Sequence, residues 1–235
     1  MENRIINGIE ISECDFTDAM TFEDAVTACE KMGNGWRLPT IREAVEIFDK
    51  HPHLLDYGKV YCTSTLSTGG QVWLHLHSEH KEQQYLEDTY CPSHIRFVRT
   101  HDANAAAAAN KSYLIQIAAA LKQYIEENKE NNILLEHTEF FGKKIIGQFT
   151  WEEATEICNL LNDGWRLPLD GDEVEEASEY IKDLYGCYWT QATSEMYGEE
   201  PGKAEGGEID NGYKGHALYE KTNTASIILL RDINQ

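Results

Sequence analysis

The chain has 235 residues, of which 41% are hydrophobic, and a formal charge of −21. That apolar content supports a packed core in one large or two ordinary domains and excludes a disordered composition. The charge argues against nucleic acid and anionic membrane as partners, since both repel such a surface.

The first hundred residues carry 9 basic and 16 acidic groups, and residues 136–235 carry 8 and 21, so the second half holds most of the excess. The opening MENRIINGIEISECDF is interrupted by Glu2, Arg4 and Glu10, which is not the pattern of a secretory signal. No run of about 20 apolar residues is present, so no membrane span is expected. The six cysteines form no CxxC pair. They read as reduced thiols, in a cytoplasm or in a phage particle released by lysis.

Residues 20–39, MTFEDAVTACEKMGNGWRLP, return as residues 149–168, FTWEEATEICNLLNDGWRLP. Nine of these twenty positions are identical, Trp36/Trp165, Arg37/Arg166 and Pro39/Pro168 among them. The period is that of an internal domain duplication, not of a short solenoid repeat. In each copy a capping box opens a helix, Thr21 with Asp24 and Thr150 with Glu153. Phe22, Ala25, Val26, Cys29 and Met32 then recur at helical spacing, as do Trp151, Ala154, Cys158 and Leu161. A Gly-containing turn ends the helix, and Leu38 and Leu167 precede proline and should be extended. Thr40 with Glu43, and Asp170 with Glu173, then cap a second helix, so Gly-Trp-Arg-Leu-Pro is a corner between two helices. Strand-like segments follow: KVYCTST, QVWLHLH and HIRFVRT in the first copy, GCYWTQAT, GHALYEK and SIILLRD in the second. The unit predicted is strand, helix, helix, then antiparallel strands, an α+β domain.

These motifs, with the closing IRFVR, resemble the bacterial and phage Lcl C-terminal-like domain. The resemblance implies a variant of the C-type-lectin fold, related at fold level to the formylglycine-generating enzymes. It covers residues 1–101 nearly throughout and 133–235 less faithfully, with Leu169 in place of Thr40 and Ile228 in place of Arg96. The organisation expected is two tandem C-type-lectin-like domains, 1–101 and 133–235, joined by a helical linker, 102–132. In that linker Leu114, Ile117, Leu121 and Tyr124 make a narrow apolar seam. A helix lying on one of the domains explains the seam more simply than a self-association helix.

Four candidate sites follow. Trp36 and Trp165 are expected in the core. Arg37 and Arg166 are expected to brace the corner through backbone carbonyls or a carboxylate, with Pro39 and Pro168 completing the structural signature. His75 and His77 share one strand face with Trp73 near, and zinc would suit imidazole there, but a solvated strand face is the simpler account. Residues 194–216 are long, Gly-rich and acidic, and read as the loop where lectin-like folds bind ligands. Tyr197 and Tyr213 are its contact aromatics, and Glu199, Glu200, Glu208 and Asp210 its oxygen ligands should calcium bind. The sugar-binding triplets of calcium-dependent lectins are absent. Cys29 and Cys158 fall on apolar helix faces and should be inert. Cys187 is the last cysteine and has no close partner in sequence, unlike the cysteine pair of formylglycine-generating enzymes. No other catalytic motif stands out.

The function expected is non-enzymatic: a structural or interaction protein without a cofactor, with protein partners or self-association, for example a phage virion component. The alternatives are a bacterial glycan- or peptide-binding protein using 194–216, and, disfavoured, an enzyme of the formylglycine-generating type.

Overall fold

A computed structural model describes residues 1–235 except 1–3, 13, 14, 17, 50, 77–82, 136, 137, 144, 182, 183, 185, 200, 211, 212, 234 and 235. The chain is an α+β protein. It divides into two compact units, 1–110 and 111–235.

In the first unit Asn7 and Gly8 both take positive φ, 50° and 78°, and close a two-residue hairpin between β1 (Arg4–Ile6) and β2 (Ile9–Ile11). Asn-Gly suits that turn because both residues tolerate the left-handed region. Helix α1 (Phe22–Met32) is capped by Thr21, which accepts from the Asp24 backbone N–H. Helix α2 (Ile41–Ala44) has a complete Thr40–Glu43 capping box, then widens into a π-helical turn, Val45–Asp49. Ile41, Ala44, Ile47 and Phe48 are buried while Val45 is only half-buried, because the wider turn brings Ile47 rather than Val45 to the core. Strands β3 (Val60–Leu66), β4 (Val72–Leu76) and β5 (Gln83–Glu87) form one antiparallel sheet. Strand β6 (Val98–Thr100) joins β2 in another. Arg96 is buried just before β6, where its Nε donates to Asp15 Oδ1 at 2.6 Å and its Nη1 to the Ser12 carbonyl. The Tyr61 hydroxyl donates to the other Asp15 oxygen at 2.7 Å.

Helix α3 (Ala103–Glu127) straddles the division between the units. Its Leu114 and Ile125 are buried in the core of the second unit, with Tyr113, Ile117 and Leu121 against it. The apolar seam is therefore used within the chain. β7 (Ile133–Leu134), β8 (Thr138–Phe140) and β9 (Ile145–Phe149) lead to α4 (Trp151–Leu161), with its Thr150–Glu153 capping box, and to α5 (Gly171–Tyr180), capped by Asp170.

Then come β10 (Gly186–Thr193), β11 (Lys203–Asp210), β12 (Tyr213–Glu220), β13 (Ala225–Ile227) and β14 (Leu230–Asp232). The main sheet has the order β12-β11-β10-β13-β9, and β14 pairs with β8. Residues 194–216 are thus mostly not a loop. A 3-10 turn, Ser194–Tyr197, and a short connection precede β11, which pairs with β12 from Lys203↔Glu220 to Asp210↔Tyr213. The period-two signal is hidden because Gly206 and Gly207 leave room that other elements fill. A Cβ on Gly207 would come within 2.7 Å of Val174 on α5.

No described helix is long and apolar enough to cross a membrane.

Candidate functional site

The repeated corner is built alike in both units. Gly35 and Gly164 take φ of 76° and 78°, which glycine permits at no steric cost. Arg37 and Val98 exchange both backbone hydrogen bonds, as do Arg166 and Leu230. Each guanidinium then makes a two-pronged pair, Arg37 with Glu43 and Arg166 with Glu173, and each donates to the next carbonyl, Leu38 or Leu167. Arg166 also reaches Asp232 at 2.7 Å. The Pro39 and Pro168 carbonyls accept from Ser64 and Gln191, which ties the corner to β3 and β10. The Trp36 ring lies under Arg99 at 4.7 Å, and Trp165 under Arg231 at 4.6 Å. Trp165 is buried. Trp36 is only half-buried, contrary to the expectation of a core residue, whereas α3 supplies Leu114 and Ile125 to the cluster that encloses Trp165.

His75 corrects the solvated-face expectation. It is fully buried on β4, opposite Tyr61, with its ring 5.6 Å from Phe48. The π-helical turn covers that face of the strand with Phe48. His77 lies outside the described residues. Among the described residues no group of three His, Cys, Asp or Glu is placed to hold a metal.

The acidic residues of 194–216 are not brought together either. Glu199 precedes β11, while Glu208 and Asp210 stand at its far end, about 20 Å along an extended strand. Tyr213 pairs with Asp210 at that same far end. Glu200 lies outside the described residues. Tyr197 is the exception, because it belongs to a polar constellation at the near end.

Glu205, on β11, is the centre of that constellation. It is 1% exposed. Its Oε2 accepts from the Gly171 backbone N–H at 2.7 Å, at the start of α5, and from the Thr190 hydroxyl at 3.2 Å. Its Oε1 accepts from the Tyr197 hydroxyl at 2.9 Å, and His216 Nδ1 lies 2.5 Å away. A buried carboxylate is tolerated only with such a set of donors. Gly171 is required by the same arrangement, because a Cβ there would come within 2.5 Å of His216 Cβ.

Tyr197 and His216 are each about half exposed, so one buried anion holds two side chains at the surface. Partial burial and the bond to Glu205 push the Tyr197 phenol up to about 12, which keeps it a donor at neutral pH. Glu205 raises the His216 pKa above its ordinary value of 6.5, with Asp172 and Glu175 of α5 adding to the effect. The imidazole is thereby favoured as a cation. The pairing contributes fully below pH 6.5 and is lost as pH rises through the raised value. The melting-temperature difference between the wild type and His216→Gln should therefore be largest below pH 6.5 and shrink above it. A difference that grows with pH would refute the ion pair.

Among the described residues, the first unit has no such constellation. Thr63 donates to the Trp73 carbonyl as Thr190 does to that of Glu205, so Trp73 stands where Glu205 does. The first N–H of α2, on Ile41, is satisfied by the Thr65 hydroxyl at 2.9 Å, and Ala192 holds the matching place on β10. The second copy has exchanged a hydroxyl on one strand for a carboxylate on the next. It also has Leu169 inserted before its helix cap. Where residues 67–71 turn tightly from β3 to β4, it has the longer connection 194–202. All these differences fall at one end of the second unit. Glu205 and His216 fall inside the acidic segment 194–216, whose composition does not distinguish them from their neighbours. Aligning β3 and β4 with β10 and β11 would have exposed the Trp73/Glu205 exchange.

None of the described cysteines bonds to Glu205. Cys29 and Cys158 are buried, and burial pushes their thiols up to about 11 and about 12. Cys187 lies against Gly206 at the edge of the core.

No protein-family model matches the chain. No curated protein matches it.

Proposed function

We propose that this chain is a non-enzymatic interaction protein made of two tandem C-type-lectin-like domains, in which the second domain carries the recognition surface. The observation that carries this reading is the fixed presentation of Tyr197 and His216 by buried Glu205. The inner partners, Gly171 N–H and Thr190, hold Oε2, while Tyr197 and His216, on Oε1, face solvent. Half-exposed aromatic and imidazole groups held by a rigid frame are typical of contact residues, since little conformational freedom is lost on binding. The partners of Glu205 are hydrogen-bond donors rather than a nucleophile set, which favours binding over catalysis. The doubled Trp-Arg-Leu-Pro corner supports the lectin-like assignment, and the proposed setting is a cytoplasm or a phage particle.

The test is a selection of random displayed peptides on the immobilised full-length chain. Both Tyr197 and His216 are half exposed, so the Tyr197→Ala/His216→Ala variant should stay folded. Selected binders should lose most of their affinity for it and keep their affinity for Met32→Ser, a surface change in the first unit. Binders indifferent to the double substitution would remove this end of the second unit as the recognition surface.

A further inference from the structure

We infer that the partner of this surface is a basic, amphipathic segment of another protein. The inference rests on the binding reading above and adds the chemistry of the occupant. Three large apolar side chains border the Glu205 constellation and remain in solvent: Leu169 at 49% exposure, Met196 at 71% and Tyr197 at 52%. Leu169 comes from the insertion before α5, and Met196 and Tyr197 from the longer connection before β11. All three therefore stand on segments that distinguish the second copy from the first. Met and Tyr are enriched at protein contacts for their adaptable or rigid apolar area.

The charge around these side chains is one-sided. Asp172 acts electrostatically on both Tyr197 and His216, Asp170 on Tyr197 and Glu175 on His216. Asp172, Glu195 and Glu199 are exposed. Of the nearby lysines, Lys214 pairs with Glu179 and Lys221 with Glu195 and the Trp151 ring, which leaves exposed Lys203 as a single cation against several acidic groups. At the positive end of α5, Glu205 takes the Gly171 N–H and the Asp170 side chain takes that of Glu173. A second copy of this chain would bring the same acidic rim and a charge of −21 against itself. Lys or Arg side chains on the acidic rim, alternating with apolar residues on Leu169, Met196 and Tyr197, complement what is displayed.

The test uses two synthetic peptides and the full chain, at about 0.15 M salt so that long-range attraction is screened beyond about 8 Å. One peptide alternates Lys and Arg with Leu. The other has Gln at every basic position. Fluorescence anisotropy should show the basic peptide bound at least about tenfold more tightly. The charge-neutral variant Leu169→Ser/Met196→Ser should weaken it by about fivefold or more. Equal binding to that variant would mean diffuse attraction to an acidic protein and would overturn the inference. So would a failure of the basic peptide to bind at all. Peptides selected on the Tyr197/His216 surface that contain no Lys or Arg would overturn the chemistry assigned to the partner while leaving the surface itself standing.

Discussion

Arg96→Ala should cost the first unit about 3–5 kcal/mol, the range for removing one partner of a buried ion pair. The Arg96 and Asp15 side chains are 8% and 9% exposed and meet at 2.6 Å. Without the guanidinium, Asp15 keeps the Tyr61 hydroxyl at 2.7 Å and Lys59 at 3.7 Å, too little to compensate a carboxylate withdrawn from water. The Ser12 carbonyl loses a donor at the same time. Hydrogen exchange should report the loss locally, at the Ser12 amide bonded to Phe97 and at the Arg37 and Val98 amides. The second unit suggests the rescue, since Ile228 stands at the matching place and is fully buried among apolar groups. Removing both charges, with Asp15→Leu/Arg96→Ile, should recover most of the stability, because no uncompensated charge remains. Equal losses in the single and double variants would show that the pair contributes more than the avoidance of its own desolvation.

Glu205→Ala should destabilise the second unit by about 2–3 kcal/mol and abolish recognition by the Tyr197/His216 surface. The Gly171 N–H is left buried without an acceptor. The Thr190 hydroxyl retains the Glu205 backbone carbonyl at 3.2 Å, so its loss is partial. Tyr197 and His216 can turn to water, which spares stability but ends their fixed presentation. Glu205→Gln should lose less stability, since the amide oxygen still serves Gly171. Adding Ala192→Thr to Glu205→Ala copies the first unit, where Thr65 receives the Ile41 N–H. Thermal melting should show partial recovery, while peptide binding stays absent. Recovery of both together would mean that the carboxylate acts only as a helix cap and that Tyr197 and His216 need no anchor.

Local chemistry was readable wherever both partners lie within one turn of each other. Thr21, Thr40, Thr150 and Asp170 cap the helices expected of them, and β10 begins and ends as its residues indicate. Misreadings came where a distant element decides. His75 alternates like a surface residue, but Phe48, from a helix whose winding changes at Val45, covers it. Residues 203–210 carry two glycines and three acids and read as loop. They form a strand because α5 fills the space beside Gly207, and Glu205 finds partners on four other elements. Trp36 and Trp165 have the same neighbours in sequence and differ in burial, because the cluster around Trp165 includes residues of α3.

What the sequence by itself determined is the duplicated frame. Caps, Gly-Trp-Arg-Leu-Pro corners and apolar helix stripes are short-range instructions, written twice and carried out twice. Which copy gathers a buried carboxylate and its donors, and where, only the tertiary structure decided. Glu205 is separated from Gly171 by 34 residues, from Thr190 by 15 and from His216 by 11. Nothing in the local pattern of any of them marks a shared destination. A buried charge persists only where folding gathers enough donors around it, and that condition belongs to the packed molecule rather than to any segment of the chain.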